Sequence, residues 1–357
     1  MKIGIYDPYL DDLGGGEKYM LSLAECLSKR HQVTLFWDKK EDFKRVEERF
    51  TLDLSRVFLA PNIFSPGAGF FKKIRETKKL DAIIFLSDGS IPFSLSKKLF
   101  LHIQQPISGI KANPKIRWKL SRVTRVFCNS YYSKSYIDRA LGVESLVLYP
   151  PVKIGAKPLQ KENIILHVGR FRVRDPMIGI NDYKKQSVMV SVFKEMVENG
   201  LKDWKFVLAV SVREEEKDLF NKFQKEADGF PIEFTINKTN EELWEIYSRA
   251  KIYWHASGFG EDLVKHPEYA EHFGISTVEA MGAGCVPVVI NAGGQKEIVQ
   301  DGVNGLLWET LDELKMKTLG LIQDKNIREK LSKAAKKRAK FFSGDRFCQE
   351  ITTLIEN

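Results

Sequence analysis

Cysteine is scarce in this chain. The four present, Cys26, Cys128, Cys285 and Cys348, lie far apart and form no C-x-x-C pair. That spacing predicts neither a disulfide framework nor a zinc site of the usual kind, and it favours a reducing cytoplasm. Long apolar runs are also missing: none reaches the ~18 residues that a membrane-crossing helix needs. The opening residues Met1-Lys2-Ile3-Gly4-Ile5-Tyr6-Asp7 lack the apolar core of a signal peptide and read as a first strand. No internal repeat or low-complexity tract appears. No zinc finger, RNP-type strand or basic helix leading into heptads is found either, so nucleic acid is not an expected partner. What remains is an ordinary globular composition: 357 residues, 43% hydrophobic and 29% charged. That length makes about two domains.

Acidic residues are short in one half only. The formal net charge is +9. Residues 1–158 hold 27 Lys and Arg against 16 Asp and Glu, and the remainder holds 29 against 31. Much of the excess follows residue 60, in Lys72, Lys73, Arg75, Lys78 and Lys79, and again from Lys111 to Arg125, a stretch without any acid. Such a patch attracts phosphates or an anionic membrane surface. Phe70 and Phe71, directly before Lys72, fit a membrane interface as well as a core edge.

Short β-rich runs alternate with helical stretches. The first series of strands is expected at 2–6, 32–37, 82–86, 99–103, 125–128 and 146–149, with a helix over 16–29. The second is expected at 164–168, 206–210, 232–236, 252–255, 286–290 and 305–308, with helices at 186–198, 241–249 and 274–281. Near-continuous apolar strands separated by helices predict parallel sheets covered on both faces. The expected architecture is α/β: two Rossmann-like domains, 1–155 and 160–340, facing a central cleft.

Three motifs carry candidate chemistry. Gly14-Gly15-Gly16-Glu17 precedes the first helix, where glycines admit a ligand and free N–H groups attract an anion. It matches the dinucleotide fingerprint poorly, which weighs against a nicotinamide dehydrogenase. Next, Gly169-Arg170 closes a strand, and Lys184-Lys185 opens the following helix. Cations at the carboxyl edge of an open α/β sheet suit a diphosphate. The third motif is the most specific: Glu271-His272-Phe273-Gly274-Ile275-Ser276-Thr277-Val278-Glu279-Ala280-Met281, running on through Gly284 to Pro287-Val288. A phosphate fits the backbone of a helix opening at Gly274, Ile275 and Ser276. Glu279 suits a ribose diol, and Glu271 suits sugar hydroxyls.

These residues resemble the group 1, or family four, retaining nucleotide-sugar glycosyltransferases, whose hallmark is close to E-x-F-G-x-x-x-x-E-A-M-A-x-G-x-P-V. Further pieces match in order: the Gly-rich loop at Gly14–Glu17, His102, Asn129-Ser130, Tyr149-Pro150-Pro151-Val152, Gly169-Arg170 with Lys184, and Gly293-Gly294-Gln295-Lys296-Glu297. The resemblance covers nearly the whole chain. It implies a GT-B fold, with the last helix (342–357) folded back on the first domain.

It also implies a hexose moved from a UDP- or GDP-sugar to a glycan or lipid-linked acceptor, with no metal and no cofactor beyond the donor. The 254–267 segment is somewhat like that of lipid-linked-oligosaccharide mannosyltransferases. His102, Arg170, Lys184 and Glu271 are the expected catalytic groups. Gly15, Gly16, Lys185, Phe273, Gly274, Ile275, Ser276 and Glu279 are the expected substrate contacts. Lys185, Arg172 and Arg174 compete for the phosphate role. No nucleophile is evident, so same-face attack is expected rather than a covalent intermediate. Localisation is expected to be cytoplasmic, with peripheral membrane contact through the basic first domain. The rival readings are a nucleotide-sugar epimerase on the same architecture and a non-catalytic nucleotide-sugar-binding protein.

Overall fold

The computed structural model describes residues 1–11, 14–65, 67–107, 112–172 and 182–357. Lys111 and Arg174, singled out above, lie outside the described residues. The chain divides into two compact units, 1–151 with 343–357 and 152–342.

The first unit begins with β1 (Lys2–Tyr6), α1 (Gly15–Ser28), β2 (Gln32–Phe36), α2 (Lys40–Phe50) and β3 (Val57–Ala60). It continues with α3 (Phe70–Thr77), β4 (Ala82–Ser87), β5 (Lys98–Ile103), α4 (Pro114–Leu120), β6 (Arg125–Cys128), α5 (Tyr131–Leu141) and β7 (Leu146–Val147). Its strands lie in the order β3-β2-β1-β4-β5-β6-β7, and every recorded pairing is parallel. All six residues of β4, Ala-Ile-Ile-Phe-Leu-Ser, are buried. An unbroken apolar strand is what a sheet covered on both faces demands. Sequence patterning missed β3, an edge strand whose apolar run, Val-Phe-Leu-Ala, is only four residues long, with Val57 buried and Phe58 exposed.

The second unit repeats the plan. Its strands are β8 (Glu162–Arg170), β9 (Lys205–Ser211), β10 (Ile232–Ile236), β11 (Ala250–His255), β12 (Val286–Ile290) and β13 (Leu306–Trp308). Its helices are α6 (Gln186–Glu198), α7 (Lys217–Lys225), α8 (Asn240–Arg249), α9 (Ile275–Gly282), α10 (Gln295–Ile298), α11 (Leu311–Gln323) and α12 (Lys325–Ala339). The order is β10-β9-β8-β11-β12-β13, again parallel. Both units therefore have the strand reversal of a Rossmann fold, and the crevice at such a reversal is where ligands sit in open α/β sheets. The core of this unit is aromatic. Phe193, Phe206 and Trp254 pack at 5.3–6.4 Å between ring centroids, and the Trp254 indole donates to Thr318 Oγ1 at 3.0 Å.

Local sequence fixes the helix starts. Thr239 and Glu242 form a reciprocal capping box on α8. Ser130 Oγ accepts the Ser133 N–H at 3.0 Å, so the Asn129-Ser130 pair is in part an N-cap for α5.

The last helix, α13 (Gly344–Glu356), belongs to the first unit. Phe347, Ile351 and Ile355, spaced at helical period, are fully buried in the core that α1 lines. Lys98 Nζ donates to the carbonyls of Ile355 and Glu356, both at 3.1 Å, satisfying groups that a helix end leaves open. One cysteine expectation is corrected here. Cys26 on α1 and Cys348 on α13, 322 positions apart, form a disulfide with Cα atoms 5.1 Å apart. Sequence separation carried no information once α13 packed against α1. Cys128 and Cys285 are free and buried.

Candidate active site

The sharpest cluster of the second unit lies where β8 and β11 end and α9 begins. Glu271 Oε2 accepts two hydrogen bonds, from Lys184 Nζ at 2.6 Å and from His255 Nε2 at 2.9 Å. Lys184 immediately precedes the α6 cap, His255 is the last residue of β11, and Glu271 stands just ahead of α9. Burial opposes charge on Glu271. The Lys184 ammonium and the His255 hydrogen bond outweigh it and hold the carboxyl well below its usual range. Burial also lowers the pKa of His255, against the pull of Glu271. The imidazole is therefore neutral, and its Nε2–H donates a hydrogen bond to the carboxylate. Behind it, His167 donates from Nδ1 to the Trp254 carbonyl at 3.1 Å, and burial lowers its pKa to about 3. The Gln186 amide lies 3.3 Å from His167 Nε2.

The backbone around Glu271 depends on glycine. Gly294 N–H donates to the Glu271 carbonyl at 2.8 Å. A Cβ on Gly294 would fall 2.4 Å from the His272 carbonyl, and one on Gly293 would fall 2.3 Å from the Glu271 carbonyl. The Gly293-Gly294 pair therefore lets its loop close on the Glu271 segment. Gly274 caps α9 with φ +119°, a conformation that side chains resist.

Around α9 the expected contacts separate into two groups. Ile275 and Ser276 form its first turn and are partly exposed, with the Ser276 hydroxyl accepting from Tyr253 at 2.8 Å. Helix N-termini present N–H groups without intrahelical partners, so this turn suits an anion. Glu279, partly exposed, accepts from the Tyr247 hydroxyl at 3.0 Å. Phe273, by contrast, is buried and packs edge-on against Phe342 at 5.3 Å. It is a core ring here rather than a surface offered to a ligand.

The two adjacent lysines part company. Lys185 adopts a left-handed backbone with φ 57° and turns to Glu261 at 2.5 Å, both side chains nearly buried. Lys184 goes to Glu271. Arg170 closes β8 and is exposed. Arg172 pairs with Glu216 at 2.7 Å. Of the competing cations that the structure describes, Lys184 is the one that shares a hydrogen bond with Glu271. Sequence reasoning did not single out His255. The signal was its place at a strand's carboxyl end.

In the first unit, Gly15 and Gly16 open α1. The Glu17 carboxylate accepts from the Gly14 N–H at 2.6 Å. The Gln104 amide lies within 2.5 Å of where a Cβ on Gly16 would stand. His102 is fully buried between Tyr19, stacked at 4.0 Å, and Phe127 at 4.8 Å. Burial lowers its pKa to about 3. The structure thus places His102 among core side chains rather than in an open site. Asp7, at the carboxyl end of β1, was not singled out from sequence. Its side chain is buried, its Oδ1 accepts the Tyr9 N–H at 2.9 Å, and its pKa is raised to about 7 by burial and then by Glu17. Among the described residues, no group of three or more His, Cys, Asp or Glu is placed to hold a metal ion.

The family model for glycosyl transferases group 1 matches residues 154–338, nearly all of the unit that carries this cluster. The chain belongs to that family. The glycosyltransferase is 25% identical over 368 residues to a Campylobacter jejuni enzyme, a match covering 96% of this chain and 95% of the other. That enzyme is named as an α-1,4-N-acetyl-D-galactosaminyltransferase acting on GalNAc-α-(1→4)-GalNAc-α-(1→3)-diNAcBac-PP-undecaprenol. The present chain is also 27% identical over 195 residues to a Dictyostelium discoideum GDP-Man:Man(3)GlcNAc(2)-PP-Dol α-1,2-mannosyltransferase, covering 49% of this chain but 35% of that one. Among solved structures, Anabaena HepE in complex with UDP superposes with a TM-score of 0.73 at 19% identity, covering all of both chains. At that identity the likeness shows the fold, which is GT-B: two Rossmann-like units in tandem.

Proposed function

We propose that this glycosyltransferase moves a hexose-type sugar from a UDP- or GDP-sugar to a sugar hydroxyl of a lipid-linked glycan, with retention and without a metal. The observation that carries the reading is the Lys184–Glu271–His255 cluster beside the α9 N-terminus. An ionised carboxylate binds sugar hydroxyls, and a cation beside it binds the diphosphate. The named acceptors of the Campylobacter and Dictyostelium relatives, both polyprenyl diphosphate glycans, support the acceptor class.

In the proposed step the bond from the sugar's C1 to the phosphate oxygen breaks, and its electron pair stays on phosphate. The acceptor oxygen bonds C1 from the same face, and its proton passes to the departing phosphate oxygen. Negative charge grows on the diphosphate, so Lys184 and Arg170 act where electrostatic stabilisation is largest. Glu271 holds the sugar. The α9 N-terminus and Glu279 hold the nucleotide. A polyprenyl-linked acceptor puts the reaction at a membrane, and the reading includes peripheral association with its cytoplasmic face. No helix of the described residues is long and apolar enough to cross a membrane.

The test is a melting panel with UDP, GDP, ADP, CMP and NAD on the wild type and Glu279→Ala, followed by product analysis with and without acceptor. Saturation at ~100 times Kd adds ~2.7 kcal/mol. A selective shift by one nucleoside diphosphate, weakened in Glu279→Ala, is expected. An isomerised sugar nucleotide formed without acceptor overturns the transferase reading in favour of an epimerase.

A further inference from the structure

One face of the first unit combines exposed aromatics with an excess of positive charge. Phe70 and Phe71 begin α3 and are 56% and 84% exposed, and Trp118 on α4 is 63% exposed. Single exposed aromatics are common on soluble proteins. These belong to a connected surface. Phe70 packs on Phe93 at 5.4 Å, and the Arg122 guanidinium, just past α4, lies 5.7 Å over the same Phe93 ring. Arg122 also donates to the Ser94 carbonyl at 3.1 Å, and Lys119 donates to the Ile91 carbonyl at 3.2 Å. The segment between β4 and β5 thus ties α3 to α4.

The charge on this face is mainly positive: its exposed acid Asp88, at the β4 end of the 88–97 segment, accepts the Ser90 N–H at 3.1 Å. From 89 to 137 the chain contains no Asp or Glu. The acid on α3, Glu76, is already matched by Arg75 at 2.9 Å and Lys79 at 2.7 Å. Lys72 beside the phenylalanines, with Lys115 and Arg117 beside Trp118, are exposed. Basic side chains alone describe any phosphate surface. Aromatics standing among them describe the boundary between headgroups and acyl chains, where such rings prefer to sit.

We propose that the face built by α3, the 88–97 segment and α4 docks on an anionic lipid bilayer, with Phe70, Phe71 and Trp118 entering the interface and the surrounding cations meeting the headgroups. The proposal rests on the reading that the acceptor is lipid-linked, and it names the surface that would bring the enzyme to it. Docking by rings and short helices requires no spanning segment. Attraction of this kind weakens with salt, whereas ring insertion resists it.

Flotation of the full chain with vesicles tests this. One set is phosphatidylcholine with about a third phosphatidylglycerol, and the other is phosphatidylcholine alone; both are run at low and high salt. Wild type is expected to bind the anionic vesicles at least tenfold more tightly than the neutral ones. The double variant Phe71→Ser/Trp118→Ser should lose at least tenfold and bind no better than wild type at high salt. Lys115→Glu/Arg117→Glu should lose a similar factor with the aromatics intact. All four positions are exposed, so both variants should melt like wild type and keep the wild-type nucleotide shift.

Equal binding to both vesicle types, no binding, or variants that bind like wild type overturns the proposal. Tighter binding to a single-stranded oligonucleotide than to anionic vesicles overturns it in favour of nucleic acid, on which such rings would stack. Wild type that binds no vesicles but keeps its nucleotide shift removes the docking face alone. Vesicle binding without any nucleotide shift removes the donor-site reading alone.

Discussion

Both units lay down parallel strands with the same reversal of order about their first strand, yet no helix joins β4 to β5 where α9 joins β11 to β12, and the two keep their charge differently. The first unit holds 26 Lys and Arg against 19 Asp and Glu, and the second holds 30 against 28. The first displays its excess on α3 and α4, while the groups at its sheet's centre are neutral or strained toward neutrality: His102 in the core, and Asp7 with its pKa raised to about 7. The second is nearly balanced overall but concentrates an ionised carboxylate, an ammonium and a neutral imidazole at one sheet edge. One fold can be turned outward toward a charged surface or inward toward a charged ligand. The strand order does not choose between them; the residues at the strand ends do.

The largest test of that contrast is Lys184→Ala. If the second unit holds the working charges, turnover of the donor picked out by the nucleotide panel should fall about 10³-fold, ~4 kcal/mol of transition-state stabilisation. A loss below tenfold would remove Lys184 from the proposed step. The counterpart in the first unit is Asp7→Asn, read as stability. A carboxyl whose folded pKa is about 7, against 3.8 ordinarily, holds its proton more tightly folded than unfolded. Its folded state therefore loses relative stability as pH rises from about 4 to 7, and the deficit is constant above that. Asn carries no such deficit. The variant should match wild type near pH 4 and exceed it above pH 7, by ~4 kcal/mol at most from ~1.4 kcal/mol per pKa unit. Parallel denaturation curves at pH 5 and 8 decide; an equal offset at both pH values means that Asp7 is not protonated in the folded chain.

A third contrast is the covalent one, since the described residues place a disulfide in the first unit only. Cys348→Ser should cost about 3 kcal/mol, lowering the melting of that unit by roughly 6–12 °C and leaving the second unchanged. Thiol counting on protein drawn directly from a reducing cytosol sharpens this further. Two reactive thiols on unfolding indicate that the bond persists there, as happens in some intracellular proteins, and four indicate that it forms only after extraction.

Apolar runs made most strands legible, because a parallel sheet buried on both faces leaves an unbroken signature such as 82–87 or 286–290. What was not legible depended on residues meeting across the fold. Edge strand β3, four apolar residues, was too short a run to register. Cys26 and Cys348 meet only because α13 crosses back to α1. Lys184 and Lys185 look interchangeable in sequence, and a single left-handed residue sends them to different carboxylates. The hallmark around Glu271 was readable because its spacing is local to one helix start. The partner that completes it, His255, comes from the end of the preceding strand.

His255 supplies the finest test. It shares Glu271 Oε2 with Lys184, and Lys184 is the group the diphosphate would draw away. A neutral Nε2–H donor left in place keeps the carboxylate oriented while the ammonium shifts its allegiance. Without it, Glu271 loses one of the two interactions that hold its pKa down, and its protonation moves toward neutral pH. His255→Phe should lower kcat/KM about tenfold at pH 7, ~1.4 kcal/mol, and move the acid limb of the pH profile upward. His255→Gln, which keeps an N–H donor, should recover part of both effects. A uniform drop with an unmoved acid limb would assign His255 to packing, since a merely structural loss has no reason to follow the titration of Glu271.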